Sequence, residues 1–277
     1  MSNILDYAPA AGHQLAATTI RTDADQLDDA LVTVSANGRS VPVYWARPRE
    51  GASLPVVLVL SEAFGLHAHI ADVTRRFAKE GYLAIAPDLM VRQGDPMSFE
   101  DIGSLVKDLL LKIPDEQVLA DLDACVSWAS EQGGDVRRLA ATGFCWGGRW
   151  TWLYAAHRTL SCAVAWYGIV DGKASGLFPD DPLRFPRHPI DVVGELKAPV
   201  LGLYGARDEA IGLDTVADMT EALRHGSDAA VASSVHVYED AGHAFFADYR
   251  ESYRPAAAQD AWRRCLAWIH GHTAVQG

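Results

Sequence analysis

The sequence predicts an α/β fold, in which helices cover both faces of a mostly parallel sheet. Short apolar runs recur along most of the chain, and segments with a helical spacing of apolar residues separate them. Runs that are apolar on both faces and alternate with amphipathic helices are typical of parallel sheets. The early part of the chain instead alternates apolar and polar residues, which predicts an antiparallel pair of strands before the parallel part.

The N-terminal region divides at residue 30. Residues 1–30 are polar and weakly patterned, so we interpret them as an N-terminal arm on the surface and residues 31–277 as a single domain. The alternation at residues 31–34 and 41–45 predicts the two antiparallel strands. Asn37 and Gly38 lie between these runs, and this dipeptide favours a two-residue hairpin turn.

The rest of the chain alternates predicted strands with predicted helices. Strands are predicted at residues 56–60, 82–87, 139–144, 162–167, 199–204 and 234–238. Helices are predicted at residues 70–80 and 118–129, from Trp146 onward, and at residues 211–224 and 257–271. Residues 171–189 contain four prolines, which exclude a long helix or an interior strand. We interpret this segment either as a plain loop or as a lid that walls a pocket.

The charge balance excludes several classes of partner. The 277 residues include 24 Lys and Arg against 36 Asp and Glu, which gives a net charge of −12. A surface this acidic repels nucleic acids and anionic lipids, so we expect a small-molecule partner. No apolar run reaches the roughly 18 residues of a membrane helix, and the first residues lack the pattern of a secretory signal.

The cysteines bear on the compartment and on metal binding. They are far apart and form no CxxC pair: Cys125, Cys145, Cys162 and Cys265. This spacing argues against a zinc site and against a disulfide framework, and it is typical of proteins of the reducing cytoplasm. We therefore expect a cytoplasmic protein without a metal, present as a monomer or a homodimer.

A glycine-rich turn around Cys145 predicts a nucleophile. Residues 143–148 read Gly-Phe-Cys-Trp-Gly-Gly and lie between a predicted strand and a predicted helix. This is the strand–turn–helix pattern of a nucleophile elbow, with Cys in the usual Ser position. The sharp reversal needs glycines around the central residue, and the helix dipole favours a thiolate there. The alternative is a buried cysteine in a glycine-rich turn, and we interpret the other three cysteines as core residues.

A thiol nucleophile needs a base, and the base needs a group that orients it. Asp208 follows the strand at 199–204, and His243 follows the strand at 234–238. Ligands bind at the carboxyl ends of parallel strands, so both residues are candidates for these roles. Asp214 and Asp240 are the alternatives to Asp208. The chain order Cys, Asp, His argues against a papain-like protease.

Four motifs together resemble the dienelactone hydrolase (carboxymethylenebutenolidase) family of the α/β-hydrolase superfamily. They are the Gly-Phe-Cys-Trp-Gly-Gly turn, Gly-Ala-Arg-Asp at 205–208, Gly-His-Ala-Phe at 242–245 and Ser-Glu-Ala-Phe-Gly-Leu at 61–66. The resemblance covers residues 35 to 270. It implies the α/β-hydrolase fold and a Cys145–His243–Asp208 triad that needs no metal and no cofactor. It also implies hydrolysis of 4-carboxymethylenebut-2-en-4-olide to maleylacetate through an acyl-thioester.

The resemblance implies roles for further residues. It places Glu62 beside the cysteine, where it helps to generate the thiolate, and makes the backbone N–H groups of Ala63 and Trp146 the oxyanion hole. It makes Arg92 the group that holds the substrate carboxylate and Tyr167 a pocket residue. The alternatives are that Glu62 pairs with Arg92 or caps a turn, and that Tyr167 is a packed aromatic.

One position departs from the family pattern. Small family members carry a second Arg four residues after the catalytic His, and this chain has Ala247 there. The residues that could compensate are Tyr249, Arg250, Tyr253 and Arg254. The natural substrate is therefore left open. A broader carboxylesterase or thioesterase is the main alternative function, followed by a non-catalytic binding module of the same fold.

Overall fold

The computed structural model describes residues 6–174 and 185–274, which form two compact units. The first unit takes in the chain up to Leu139 together with Tyr249–Glu251. The second unit takes in Ala140–Asp248 and the chain from Ser252 onward. Eight strands and seven α-helices occur in the described residues, and they follow one another along the chain as an α/β protein requires.

The strands and helices have the following bounds. The strands are β1 Leu27–Ala36, β2 Arg39–Pro48, β3 Leu54–Leu60, β4 Leu83–Pro87, β5 Gly134–Phe144, β6 Cys162–Trp166, β7 Val200–Gly205 and β8 Ser234–Tyr238. The helices are α1 Ala68–Lys79, α2 Ile102–Asp108, α3 Asp115–Glu131, α4 Trp146–His157, α5 Leu213–Leu223, α6 Asp228–Val231 and α7 Pro255–Thr273. Each strand and helix predicted from the sequence is present.

The first unit contains strands in the order β1-β2-β4-β3. β1 pairs with β2 and β2 with β4 in antiparallel fashion, whereas β3 and β4 are parallel. Asn37 and Gly38 form the predicted hairpin turn with φ of 50° and 73°, the left-handed conformation that both central residues of this turn need. β1 begins at Leu27, earlier than predicted, because Leu27 already pairs with Pro48 and the intervening acidic residues concealed the alternation.

The second unit contains the parallel strands β5-β6-β7-β8 in chain order. The register pairs Phe144 with Trp166 and Gly205 with Tyr238, so these four strands end at the same edge of the sheet. α4 and α7 pack against β6. The mostly parallel sheet with an antiparallel N-terminal pair and packed helices is thus confirmed, and the residues that follow these strands lie close together.

Two short helices were not predicted from the sequence, and part of the proline-rich segment lies outside the described residues. The short helices α2 and α6 were not predicted, because neither is long enough to show an apolar stripe. Within the proline-rich segment 171–189, residues 175–184 lie outside the described residues, and Pro189–Glu195 forms a 3₁₀ helix. Among the described residues, the helices fall short of the length and apolarity that crossing a membrane requires.

Candidate active site

Cys145 lies at a sharp turn between β5 and α4. Its backbone has φ 53° and ψ −112°, which a residue with a side chain adopts only under strain, and its N–H donates to the carbonyl oxygen of Trp166 at 2.9 Å. A Cβ atom on Gly143 would lie 2.6 Å from the hydroxyl oxygen of Thr151 and closer still to the carbonyl oxygen of Gly147. Only glycine therefore fits at position 143, as the elbow pattern predicts. The cysteine is partly exposed.

The start of α4 packs closely on the segment after β6. A Cβ atom on Gly148 would lie 2.7 Å from the carbonyl oxygen of Trp166, so a side chain at position 148 would prevent this close packing. Cys145 is the N-cap of α4, and Trp146 is its first residue. The N–H of Trp146 has no acceptor within the helix, and the dipole of the helix favours negative charge at this end.

His243 and Asp208 are brought together by the loops that follow β8 and β7. The Nδ1 atom of His243 lies 2.9 Å from the Oδ2 atom of Asp208, whose side chain is only 1% exposed. A Cβ atom on Gly205 would lie 2.7 Å from the carbonyl carbon of Ala241, so glycine allows the two loops to approach. The N–H of Arg207 donates to the carbonyl oxygen of Ala241 at 2.9 Å and ties the loops together.

The structure distinguishes among the three candidate acids. Asp208 faces His243 and accepts, on its other oxygen, hydrogen bonds from the N–H groups of Ala210 and Ile211 at 2.9 and 3.0 Å. Asp240 instead pairs with Arg207 and is 86% exposed. Asp214 lies in the first turn of α5. Asp208 is therefore the acid that the geometry joins to the imidazole.

The electrostatic environment of His243 favours its protonated form. Burial alone opposes a charge on the ring, but the charge of Cys145, the hydrogen bonds to Asp208 and Cys145 and the charge of Asp208 outweigh it and raise the pKa of His243 to about 10. The ring thus interacts with the cysteine sulfur on one side and with the carboxylate on the other. An imidazolium next to a thiolate is the arrangement that generates a sulfur nucleophile near neutral pH.

Tyr167 follows β6 and lies against the histidine. Its φ of 37° is unusual for a residue with a side chain, and its side chain is fully buried. The ring centroid lies 5.3 Å from that of His243 in an edge-to-face arrangement and 5.4 Å from that of Phe245. Tyr167 is therefore packed against the imidazole.

The other three cysteines are core residues, as predicted. Cys125, Cys162 and Cys265 are fully buried and free. Burial raises the pKa of each of these thiols well above its ordinary value, so they remain protonated and unreactive.

In the first unit, Glu62 lies just after β3 and is buried, 1% exposed. Its Oε2 atom accepts a hydrogen bond of 2.9 Å from the hydroxyl of Tyr249 and lies 4.0 Å from the Nε2 atom of His67. The structure therefore contradicts the alternative in which Glu62 pairs with Arg92. Ala63, the predicted oxyanion-hole residue of this segment, follows directly and is 2% exposed.

Arg92, which follows β4, forms an ion pair with Asp121 of α3. The Nη2–Oδ1 distance is 2.5 Å, and the two side chains are 14% and 3% exposed. Both residues line a cavity of about 610 Å³ together with residues of the β1–β2 hairpin and of α3. The guanidinium is thus engaged by a carboxylate of the protein itself. Its role as the carboxylate-binding group stays a prediction.

Sequence reasoning missed two histidines near Glu62. His67 and His69 are each 2% exposed, although they precede the apolar spacing at residues 70–80 from which the helix was predicted. The ring centroids of His67 and His69 lie 5.5 and 5.2 Å from that of Tyr249. The signal that could have found them is their position, five and seven residues after Glu62 in the same motif-bearing segment. No group of three or more metal-ligating side chains is assembled within residues 6–174 and 185–274.

Known proteins resemble this chain over most of its length. The sequence profile of the dienelactone hydrolase family matches residues 41–273. An Escherichia coli K12 protein named "Putative carboxymethylenebutenolidase" is 50% identical over 265 residues, which are 95% of this chain and 94% of that protein. A Bradyrhizobium protein named "Probable 2-oxo-3-(5-oxofuran-2-ylidene)propanoate lactonase" is 32% identical over 245 residues, which are 87% of this chain and 93% of that protein.

A solved structure shows the same fold. The crystal structure of a Klebsiella pneumoniae protein described as "Putative Dienelactone Hydrolase" superposes with a TM-score of 0.82 at 51% identity. The match covers 88% of this chain and 98% of that one. The fold is therefore that of the α/β-hydrolases, as the motifs implied. The family profile spans most of the chain, and relatives share about half of its residues. This chain therefore belongs to the dienelactone hydrolase family and is a hydrolase.

Proposed function

We propose that this protein hydrolyses a lactone or ester through a Cys145–His243–Asp208 triad, with an acyl-thioester on Cys145 as the intermediate. The observation that carries this proposal is the arrangement around His243. The ring is held by Asp208 at 2.9 Å and interacts with the sulfur of Cys145 at the elbow. Nucleophile, base and orienting acid are the three groups that acyl transfer by this route requires.

The first half of the cycle forms the thioester. The Cys145 thiolate attacks the ester carbonyl carbon, a C–S bond forms, and the carbonyl electron pair moves to the oxygen. The N–H of Trp146 at the start of α4 stabilises this oxyanion, and the resemblance assigns the N–H of Ala63 as the second donor. The C–O bond then breaks as the carbonyl re-forms, and the His243 imidazolium gives its proton to the leaving oxygen.

The second half returns the enzyme to its starting state. His243, now neutral, takes a proton from water while the water oxygen attacks the thioester carbonyl carbon. The C–S bond breaks, the thiolate of Cys145 is regenerated, and the carboxylic acid product leaves. Asp208 keeps the imidazole in one orientation through both halves.

Further roles in the proposal depend on the resemblance. Glu62 helps to generate the thiolate, and Arg92 holds an anionic substrate once a substrate carboxylate replaces Asp121. The resemblance assigns Tyr167 to the substrate pocket, and its ring contacts that of His243 edge-on at 5.3 Å. Because all four cysteines are free and the nucleophile is a thiol, we also propose a reducing, cytoplasmic compartment.

We propose an unsaturated lactone with a carboxylate substituent as the substrate class, with 4-carboxymethylenebut-2-en-4-olide as its simplest member. The names of the Escherichia coli and Bradyrhizobium relatives both describe enzymes that act on unsaturated lactones. Ala247, where small family members have Arg, favours a second candidate, a broader carboxylesterase or thioesterase. The two candidates differ in whether the substrate needs its own carboxylate.

A substrate panel tests both candidates. We would measure kcat/KM for carboxylate-bearing and neutral lactones, p-nitrophenyl acetate and an acyl-thioester, with wild type, Cys145→Ala, Cys145→Ser and His243→Ala. We expect a preference for the anionic lactone and a loss of at least about 10³-fold in kcat for Cys145→Ala and His243→Ala with the fold intact. Mass spectrometry of the quenched reaction should place the acyl group on Cys145.

The control variant is Cys125→Ala, which removes a core thiol on α3 and should leave the kinetics unchanged. Turnover by Cys145→Ala at the wild-type rate would end the proposal. Equal kcat/KM for neutral esters and anionic lactones would favour the broader esterase. Stoichiometric labelling of Cys145 without turnover would indicate a binding module instead of an enzyme.

A further inference from the structure

The carboxylate of Glu62 has an unusual set of neighbours for a buried acid. It is 1% exposed, and among the described residues its hydrogen-bond donor is the hydroxyl of Tyr249, 2.9 Å from Oε2. The second oxygen, Oε1, is buried and makes no hydrogen bond within the described part of the chain. A buried carboxylate is costly unless donors satisfy it, so the single bond from Tyr249 has a large share in keeping it in place.

The nearest basic side chain does not supply a charge. His67 lies with Nε2 4.0 Å from the Oε2 atom of Glu62, and neither of its ring nitrogens has a hydrogen-bond partner among the described residues. Burial, together with the charges of His69 and Arg250, lowers the pKa of His67 well below its ordinary value. The imidazole is therefore neutral at neutral pH. It fills space beside the carboxylate without forming an ion pair.

Tyr249 is itself held firmly. Its ring stacks on that of Tyr7 from the N-terminal arm, with centroids 4.6 Å apart, and its carbonyl oxygen accepts a hydrogen bond of 2.8 Å from the N–H of Leu15. Burial and then the charge of Glu62 raise the pKa of Tyr249 well above its ordinary value, so the hydroxyl keeps its proton and remains a donor. The donor to Glu62 is thus a neutral group in a fixed position.

The titratable and charged groups around this cluster in the first unit come from four segments. They are Tyr7 of the arm, His67 of the loop after β3, His69 of α1, and Tyr249 with Arg250. The guanidinium of Arg250 lies over the ring of Phe64, 5.1 Å from the centroid. Tyr249, and not a cation, therefore makes the direct contact with Glu62.

We propose that Tyr249 is a positioning residue, whose hydroxyl holds the carboxylate of Glu62 in the orientation that the reaction uses. This inference rests on the proposed function, in which Glu62 takes part in the hydrolysis. A hydrogen bond donated to a carboxylate favours its ionised form as well as its orientation. The Tyr249 hydroxyl carries no charge over the working pH range. The hydrogen bond therefore orients the Glu62 carboxylate without placing a cation beside it.

The test is a double-mutant cycle on activity. Tyr249→Phe removes only the hydroxyl and leaves the ring that stacks on Tyr7. We expect kcat to fall by about 10- to 100-fold, the loss that corresponds to a hydrogen bond to a charged group, with KM within about twofold of wild type. In the Glu62→Gln background, the same change should alter kcat by less than about twofold.

Tyr44→Phe is the matched control. Tyr44 also lies in the first unit, is buried, and donates its hydroxyl to a carboxylate, that of Asp29. It should lower the thermal midpoint to the same extent as Tyr249→Phe while leaving kcat and KM unchanged. This comparison separates a loss of stability from a loss of positioning.

Three outcomes would overturn the inference. They are wild-type kcat in Tyr249→Phe, an undiminished effect of Tyr249→Phe in the Glu62→Gln background, and wild-type activity of Glu62→Gln itself. A failure of the proposed function is recognised separately, because it appears as turnover by Cys145→Ala. The double-mutant cycle measures the coupling free energy between Tyr249 and Glu62, and this measurement does not depend on which residue is the nucleophile.

Discussion

The Nδ1 atom of His243 lies 2.9 Å from the Oδ2 atom of Asp208, and the other oxygen of Asp208 accepts two backbone hydrogen bonds. Both oxygens of the carboxylate are therefore held, and the imidazole that pairs with it has a defined orientation. The Nε2 atom of the ring is left for the sulfur of Cys145 and for the proton transfers of the proposed cycle.

Asp208→Asn should lower kcat by about 10³- to 10⁴-fold at neutral pH with little change in KM. The amide keeps the shape of the side chain, but it donates a hydrogen bond towards His243 and so favours the wrong tautomer of the ring. Steady-state kinetics on an anionic lactone measures this effect.

Asp240→Asn is the control for that change, because Asp240 is exposed and pairs with Arg207 on the same pair of loops. It should stay within about twofold of wild type, as expected for an exposed ion pair. Comparable losses of kcat in the two variants would show that Asp208 affects the reaction by shaping the loop and not by its hydrogen bond to the imidazole of His243.

The ring of His243 should titrate at an unusually high pH, and Cys145→Ala should change that. The pKa of about 10 depends on the charge and the hydrogen bond of the cysteine. Without the sulfur, burial still opposes the charge, so the pKa of the ring should fall. Two-dimensional NMR of the histidine rings over a pH series measures it in wild type and in Cys145→Ala. An unchanged titration would contradict the Cys145–His243 interaction.

The same shift has a consequence for stability. The pKa of His243 is higher in the folded protein, about 10, than its ordinary value of 6.5. The protonated ring of His243 therefore makes its whole contribution to the free energy of unfolding below about pH 6.5. This contribution is lost as the pH rises through about 10. Urea unfolding between pH 6 and 10 should show a steeper loss of stability in wild type than in Cys145→Ala. Parallel curves would indicate that the ring is neutral in the folded protein.

Gly143→Ala should destabilise the protein by about 1–3 kcal/mol and reduce activity further, because the new Cβ atom meets backbone at the elbow. Gly271→Ala in α7 is the matched substitution, since a Cβ atom there meets nothing within 4 Å. It should be neutral or stabilise by about 0.5–1 kcal/mol. Urea unfolding measures both, and a stable, fully active Gly143→Ala would contradict the packing of the turn.

Arg92→Ala should have two separable effects. Asp121 is left buried without its partner, which should cost about 1–3 kcal/mol of stability, and Asp121→Asn in the same chain should recover most of it. If Arg92 also binds substrate, KM should rise for anionic lactones and stay the same for neutral esters. A KM that is unchanged for both would restrict Arg92 to its structural ion pair.

The sequence alone was sufficient for the features that depend on local sterics and patterning. Gly143 and Cys145 identify the elbow because the turn excludes a side chain at position 143. The residues that show this requirement lie close together in the sequence. The strands β3, β4, β6 and β7 were predicted because buried parallel strands are continuous apolar runs. α2 was not predicted, because it is short and carries an exposed Ile102 in place of an apolar stripe.

Only the tertiary structure decided which residues meet across distant parts of the chain. The sequence favoured Asp208 but left Asp214 and Asp240 as alternatives, and the close approach of Gly205 to Ala241 brings Asp208 to His243. Likewise, Tyr249 reaches Glu62 from 187 positions away. Such contacts depend on strand register and on how loops pack at the ends of strands, and neither is encoded in the spacing of residues along one segment.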